Sequence, residues 1–291
     1  MKLTELLNDG RLHLSFEVFP PKTSTAMENV RAAVLEIAGL RPAFVSVTYG
    51  AGGGGASQFT LQLAEEIMKE SQVPSLAHLT CVASSRDSIR EKIRQLQSAG
   101  IENVMALRGD IPPELSDADR SGWHYHFAID LIRELRESGA DFCIGGACYP
   151  EKHPDSPNST EDIRRLREKV DAGCDFLTTQ MFFDNSLFYR YLYRTRDAGI
   201  TVPILPGIMP ITSAKQVDRA IRLSNSFMPT RFRSLVDRFG NHPEAMKQAG
   251  IVYAVDQIID LYANGVKNVH VYTMNKPDVA ASILHLLTGI L

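Results

Sequence analysis

Short apolar runs and amphipathic stretches alternate along the whole chain. His13-Leu14-Ser15-Phe16-Glu17-Val18 repeats with period two: Leu14, Phe16 and Val18 fall on one face, and His13, Ser15, Glu17 and the following Phe19 on the other. Pro20-Pro21 ends this first strand, because proline brings no N–H to a ladder. Further runs predict strands at 43–48, 75–80, 103–107, 142–147, 176–180, 202–205 and 269–272. Helical spacing appears at 4–9, 25–39, 57–70, 85–98, 124–138, 159–172 and 185–197. It returns at 213–224, 229–239, 243–263 and 277–288. Several helices close on a glycine (Gly39, Gly100, Gly139, Gly173, Gly199), with the next strand two or three residues on.

Eight strands alternating with helices imply a parallel sheet. Within 291 residues they fit a closed (β/α)8 TIM barrel, an α/β fold of one domain over 1–291, with extra helices before strand eight. The alternative, an open doubly wound sheet, calls for Gly-x-Gly-x-x-Gly after strand one, where this chain has Pro20-Pro21-Lys22. In a barrel the Leu14/Phe16/Val18 face packs on helices and Glu17 points inward. A carboxylate there loses solvation, which favours its protonated form; the plainer reading is a salt-bridged structural Glu.

Composition narrows the function classes. Hydrophobic residues make up 44% and charged residues 22%, and the net charge of −3 argues against nucleic acid or an anionic membrane surface as partner. No apolar run is long enough to span a bilayer, and Met1–Leu7 is too polar and short for a signal peptide. Cys81, Cys143, Cys148 and Cys174 form no Cys-x-x-Cys pair, so they read as buried thiols of a cytoplasmic protein with no metal site.

Barrel sites lie at the C-terminal ends of the strands, and the polar residues collect there. They are Glu17; Thr48 and Tyr49; His78 and Thr80; Arg108-Gly109-Asp110; Tyr149, Glu151 and His153; Gln180; Gln216 beyond strand seven; and Tyr272, Thr273 and Asn275. Taken singly, each has a structural reading as cap, core imidazole or backbone partner. Gly52–Gly55 lacks the Gly-Lys-Ser/Thr ending of a phosphate-binding loop. His124 and His126, two apart on a predicted helix, diverge and do not make a metal pair. Helix 159–172 carries a charged face from which Lys169 could meet a diphosphate.

Nine motifs occur in order: Phe16-Glu17-Val18-Phe19-Pro20-Pro21, Val45-Ser46-Val47-Thr48-Tyr49-Gly50-Ala51, His78-Leu79-Thr80-Cys81, Ala106-Leu107-Arg108-Gly109-Asp110, Tyr149-Pro150-Glu151-x-His153-Pro154, Lys169-Val170-Asp171-Ala172-Gly173, Thr179-Gln180-x-Phe182-Phe183-Asp184, Pro206-Gly207-Ile208-x-Pro210 and Tyr272-Thr273-x-Asn275. Together they resemble the 5,10-methylenetetrahydrofolate reductase family, in its short bacterial form, from about Leu14 to Leu287.

The resemblance implies an FAD-containing barrel of one-carbon metabolism and methionine biosynthesis. NADH or NADPH reduces the flavin, then methylenetetrahydrofolate replaces the nicotinamide nucleotide and is reduced, in ping-pong order. Glu17 matches the general acid, and Asp110 the aspartate that contacts the pterin and tunes the flavin. Gln180 and Gln216 match folate-contacting glutamines, and Lys276 stands where an Arg meets the folate tail. Thr48, His78, Arg108, Gly109, Ala147, Tyr149, His153, Asp162 and Lys169 match FAD contacts, as do Phe127 (where Tyr is common) and Ala128. The chain departs from the family at Gly52–Thr60, where an Arg-Asp-Arg-Thr-like stretch is usual, and at Arg165, Glu168 and Ala220. The electron donor, a homo-oligomer and an electron-donor partner subunit stay open. Rival readings are a different pterin or flavin barrel enzyme and a cofactor-poor folate-binding or partner subunit.

Overall fold

The computed structural model describes residues 1–21, 24–49, 56–111, 122–224 and 226–291. Lys22, the Gly52–Gly55 run and most of the 109–121 segment lie outside them. Nine strands form a single parallel sheet: β1 (His13–Val18), β2 (Val45–Val47), β3 (Ser75–Thr80), β4 (Asn103–Leu107), β5 (Cys143–Cys148), β6 (Phe176–Thr179), β7 (Ile204–Leu205), β8 (Gly207–Ile208) and β9 (Asn268–Tyr272). Neighbours along the chain pair from β1 to β7, β1 also pairs with β9, and β8 pairs with β9.

The predicted seventh strand is therefore two short strands, and its loop beginning at Pro206 is corrected: Gly207 and Ile208 belong to the sheet. Pro206 has no N–H with which to continue the ladder to β6. Its carbonyl instead accepts from His270 N at 3.0 Å. The chain thus changes partner from β6 to β9 at one residue, and the ring closes as a (β/α)8 barrel.

Helices α1 (Leu3–Leu7), α2 (Met27–Gly39), α3 (Ala56–Glu66), α4 (Arg86–Ser98), α5 (Ala128–Glu137), α6 (Ser159–Asp171) and α7 (Asn185–Asp197) precede β7. Helices α8 (Ala214–Ser224), α9 (Thr230–Phe239) and α10 (Pro243–Ala263) stand between β8 and β9, and α11 (Pro277–Leu287) ends the fold. Periodicity explains the ring: Ile89, Ile93 and Leu96 form the buried stripe of α4, whose first turn Ser85 Oγ caps by accepting from Ser88 N at 3.2 Å. Gly100, Gly139, Gly173 and Gly199 take positive φ just beyond α4 to α7, as C-cap glycines do.

One start differs from expectation. Residues 124–127 are not helical; α5 begins at Ala128, because the Asp130 carboxylate accepts from the N–H groups of His126 and Phe127 at 2.9 Å each. His124 and His126 therefore precede the helix, on either side of a buried Tyr125.

Leu14, Phe16 and Val18 pack outward into the layer between sheet and helices, as their alternation predicts. Inside the barrel's N-terminal end, Phe44, Leu76, Met105, Cys143, Phe176 and Leu205 meet Leu3 and Leu7 of α1, which plugs that end. Asn103 Oδ1 accepts from Leu3 N at 2.8 Å, and Asn268 Nδ2 donates to Leu7 O at 3.0 Å, holding the plug. The opposite end stays open. Among the described residues no helix is long and apolar enough to cross a membrane.

Candidate active site

A cavity of about 1690 Å³ occupies the C-terminal end of the barrel. Its floor is the layer of side chains that the strands turn inward. Glu17, from the end of β1, has a side chain 21% exposed and stands 3.7 Å from His78 Nε2 and 3.8 Å from His270 Nε2. Ser46 Oγ lies 3.1 Å from His270 Nε2 and 3.5 Å from Glu17 Oε2. Below, Ser15 Oγ donates to Val269 O at 3.2 Å and lies 2.7 Å from His270 Nδ1. With its hydrogen spent on that carbonyl, Ser15 accepts from Nδ1–H, so Nε2 is the bare nitrogen and accepts from Ser46.

Burial pushes the His78 imidazole down to about 4; Glu17 opposes this shift and His270 adds to it. His78 Nε2 is buried without a hydrogen-bond partner. Such an orphan is satisfied by a ligand's polar atom.

Thr48, Thr80, Arg108, Gly109, Asp110 and Gln180 line the same cavity. Gly109 has φ +87°, and a Cβ there would run into Val82 and Thr80, so only glycine fits this wall. Arg108 Nη1 pairs with Asp155 Oδ2 at 3.0 Å. Gln180 Oε1 accepts from Met181 N at 2.9 Å.

The loop after β5 and helix α6 supply another wall. Tyr149 and His153 meet edge to face, 4.5 Å between centroids. His153 Nδ1 accepts from Asp155 N at 3.0 Å, which leaves Nε2 as its N–H. Lys169 reaches into the cavity and donates to Ala147 O at 2.7 Å; burial holds its ammonium below the usual lysine range. Burial raises Asp162 and lowers His153, and both remain close enough to oppose each other's shift. Phe127, half exposed, and Ala128 lie at the α5 start, with Arg165 over the Phe127 ring at 5.9 Å.

Glu151, Thr273 and Asn275 do not line this cavity, and neither do Gln216 and Lys276. Gln216 Oε1 accepts from the N–H groups of Thr212 (2.8 Å) and Ser213 (3.1 Å) at the start of α8. Lys276 Nζ donates to Thr212 Oγ1 at 2.7 Å. Both bond to Thr212, Gln216 from the first turn of α8 and Lys276 from the residue before α11.

Sequence reasoning did not single out Ser15, Ser46 or His270 for chemistry. The signal was present: each lies two residues before an inward strand-end residue (Glu17, Thr48, Tyr272), and period two puts it inside the barrel. Among the described residues no group of three or more His, Cys, Asp or Glu is placed to hold a metal ion.

The family model described as methylenetetrahydrofolate reductase matches residues 2–288. The 5,10-methylenetetrahydrofolate reductases of Pectobacterium carotovorum and Escherichia coli are each 36% identical, over 96% of this chain and 91% of theirs. A probable methylenetetrahydrofolate reductase (NADH) from Oryza sativa is 35% identical over 97% of this chain and 49% of its own. Among solved structures, a Clostridium thermocellum protein that binds two copies of 5-methyl-5,6,7,8-tetrahydrofolic acid superposes over the full length of both chains, with TM-score 0.71 and 15% identity, a likeness of fold alone. By its family model and its relatives, the chain belongs to the methylenetetrahydrofolate reductase family.

Proposed function

We propose that the protein reduces 5,10-methylenetetrahydrofolate to 5-methyltetrahydrofolate in the cytoplasm, with FAD as bound cofactor and NADH or NADPH as reductant in ping-pong order. The observation that carries this reading is the setting of Glu17. Its carboxyl group stands at a strand's C-terminal end, against Ser46 and two histidines, in one cavity with Asp110 and Gln180.

The cavity exceeds the roughly 300–1,000 Å³ of ordinary ligand pockets, as a dinucleotide together with a second planar ring requires. The residues present fit FAD: the orphaned His78 Nε2 awaits a polar partner, Gly109 presents backbone, and Arg108 and Lys169 bring cationic charge for a diphosphate. Thr48, Ala147, Tyr149, His153 and Asp162 complete its wall, with Phe127 and Ala128 at the outer end. Bound FAD supplies the hydride carrier between nicotinamide and folate.

The remaining chemistry belongs to the chain. Glu17 protonates the bridging nitrogen of the folate, so that the ring opens to an iminium at the methylene carbon. Ser46, with its hydrogen on His270 Nε2, can only accept from the Glu17 carboxyl, and so faces its protonated form. Asp110 and Gln180 orient the pterin, and Lys276 with Gln216 meets the anionic folate tail.

Replacing the acid tests this. Glu17→Gln should retain FAD and its reduction by nicotinamide but lose folate reduction by about 10²–10⁴-fold, measured as separate anaerobic half-reactions in stopped flow. Folate reduction at the wild-type rate would overturn the assignment.

A further inference from the structure

The backbone that carries Glu17 is held on its β9 side by the last backbone bonds of the ladder and, beyond them, by side chains. The register of β1 and β9 ends with Glu17 opposite Tyr272. Beyond that pair the chain turns toward α11: Met274 and Asn275 have φ of 56° and 53°, two successive side-chain-bearing residues in the left-handed region. The last backbone bond to β1 before this turn is Thr273 N donating to Glu17 O at 3.4 Å, and two side chains carry the contact further. Thr273 Oγ1 donates to Glu17 O at 2.7 Å. Asn275 grips Phe19 at two points: Oδ1 accepts from Phe19 N at 2.9 Å, and Nδ2 donates to Phe19 O at 2.8 Å.

Phe19 offers the last N–H before Pro20 and Pro21. On the other side of the same segment, Val18 O accepts from Thr48 N at 2.9 Å. The three residues 17–19 are thus suspended between β2 and the hook 273–275. The hook continues into Lys276, which donates to Thr212 Oγ1, and that hydroxyl lies 3.1 Å from Gln216 Oε1. One run of bonded neighbours therefore joins the Lys276–Gln216 cluster to the backbone of Glu17.

We propose that Asn275 is a positioning residue for Glu17: it sets where the acid's carboxyl stands and ties that placement to the cluster around Thr212. This rests on the function proposed above. The residue type follows from the geometry. A primary amide offers a donor and an acceptor together, as the two-point grip demands, and asparagine tolerates the left-handed conformation better than other side chains. The rate of a proton transfer is sensitive to such placement, since a displacement of about 1 Å can cost about 10²-fold.

The test separates the amide from the backbone conformation. Asn275→Gly keeps the left-handed conformation open and removes both bonds; Asn275→Asp keeps the acceptor for Phe19 N and loses the donor. With FAD-loaded protein, the glycine variant should reduce methylenetetrahydrofolate about 10–100-fold more slowly than wild type, with the pH profile of that step displaced. The aspartate variant should fall between the two. Flavin reduction by nicotinamide should stay within about twofold of wild type in both. A glycine variant with wild-type folate reduction and an unmoved pH profile overturns the proposal. So does loss of both half-reactions in step with a lowered unfolding midpoint, which makes Asn275 structural only. A wild-type protein that reduces no folate overturns the proposed function itself, and the role of Asn275 with it.

Discussion

His78 carries an imidazole 8% exposed, pushed down to about 4 by burial. The unfolded chain takes up a proton near 6.5 that the folded protein refuses until about 4. Its contribution to stability is therefore complete above about 6.5 and is lost as the pH falls from there through about 4, by at most about 3 kcal/mol. Urea unfolding of cofactor-free protein at pH 7 and pH 5 checks this: wild type should lose more stability on acidification than His78→Gln. Equal losses in the two proteins would contradict it. His78 itself was legible in the sequence as a strand-end polar residue, as was Glu17 from its alternation. Ser46 and His270 were legible only as inward-facing by their period-two spacing; their bonding to each other was not, because it depends on which strands become neighbours in the closed barrel.

The β7–β8 break shows what local pattern leaves out. Pro206 reads as a strand terminator, and it does end pairing with β6, yet its carbonyl and the next two residues continue the barrel against β9. Only closure, a long-range fact, tells a stop from a change of partner. The same closure explains Gly207. A Cβ there would collide with the Tyr272 hydroxyl and the Thr179 carbonyl, which are themselves hydrogen-bonded at 2.5 Å. Gly207→Ala should destabilise the protein by about 1–3 kcal/mol, as overpacking does, read from its denaturant midpoint. An unchanged midpoint would mean that the seam has room the packing denies. The α5 start was displaced for a local reason: Asp130, in the first turn of the helix, claims the backbone N–H groups of His126 and Phe127 and keeps Phe127 out of the helix.

At the level of the whole barrel, alternating strands and helices sufficed for the architecture, including the extra helices before the last strand, because each strand's apolar face and each helix's stripe is a local signal. The cavity was legible only as a list of strand-end residues. Folding brings most of them to one wall and sets Gln216 and Lys276 apart around Thr212, a separation no linear spacing encodes. Arg108, Lys169, Glu17, Asp110 and Gln180 line one cavity, which under the proposed function two reactants would share. The central claim is that one bound flavin serves both in turn. An anaerobic absorbance titration of the purified protein measures this directly. The account predicts a yellow protein, bleached by NADH or NADPH and recoloured by methylenetetrahydrofolate. A protein that stays colourless after FAD is added, or a bleached flavin that the folate fails to recolour, would contradict it.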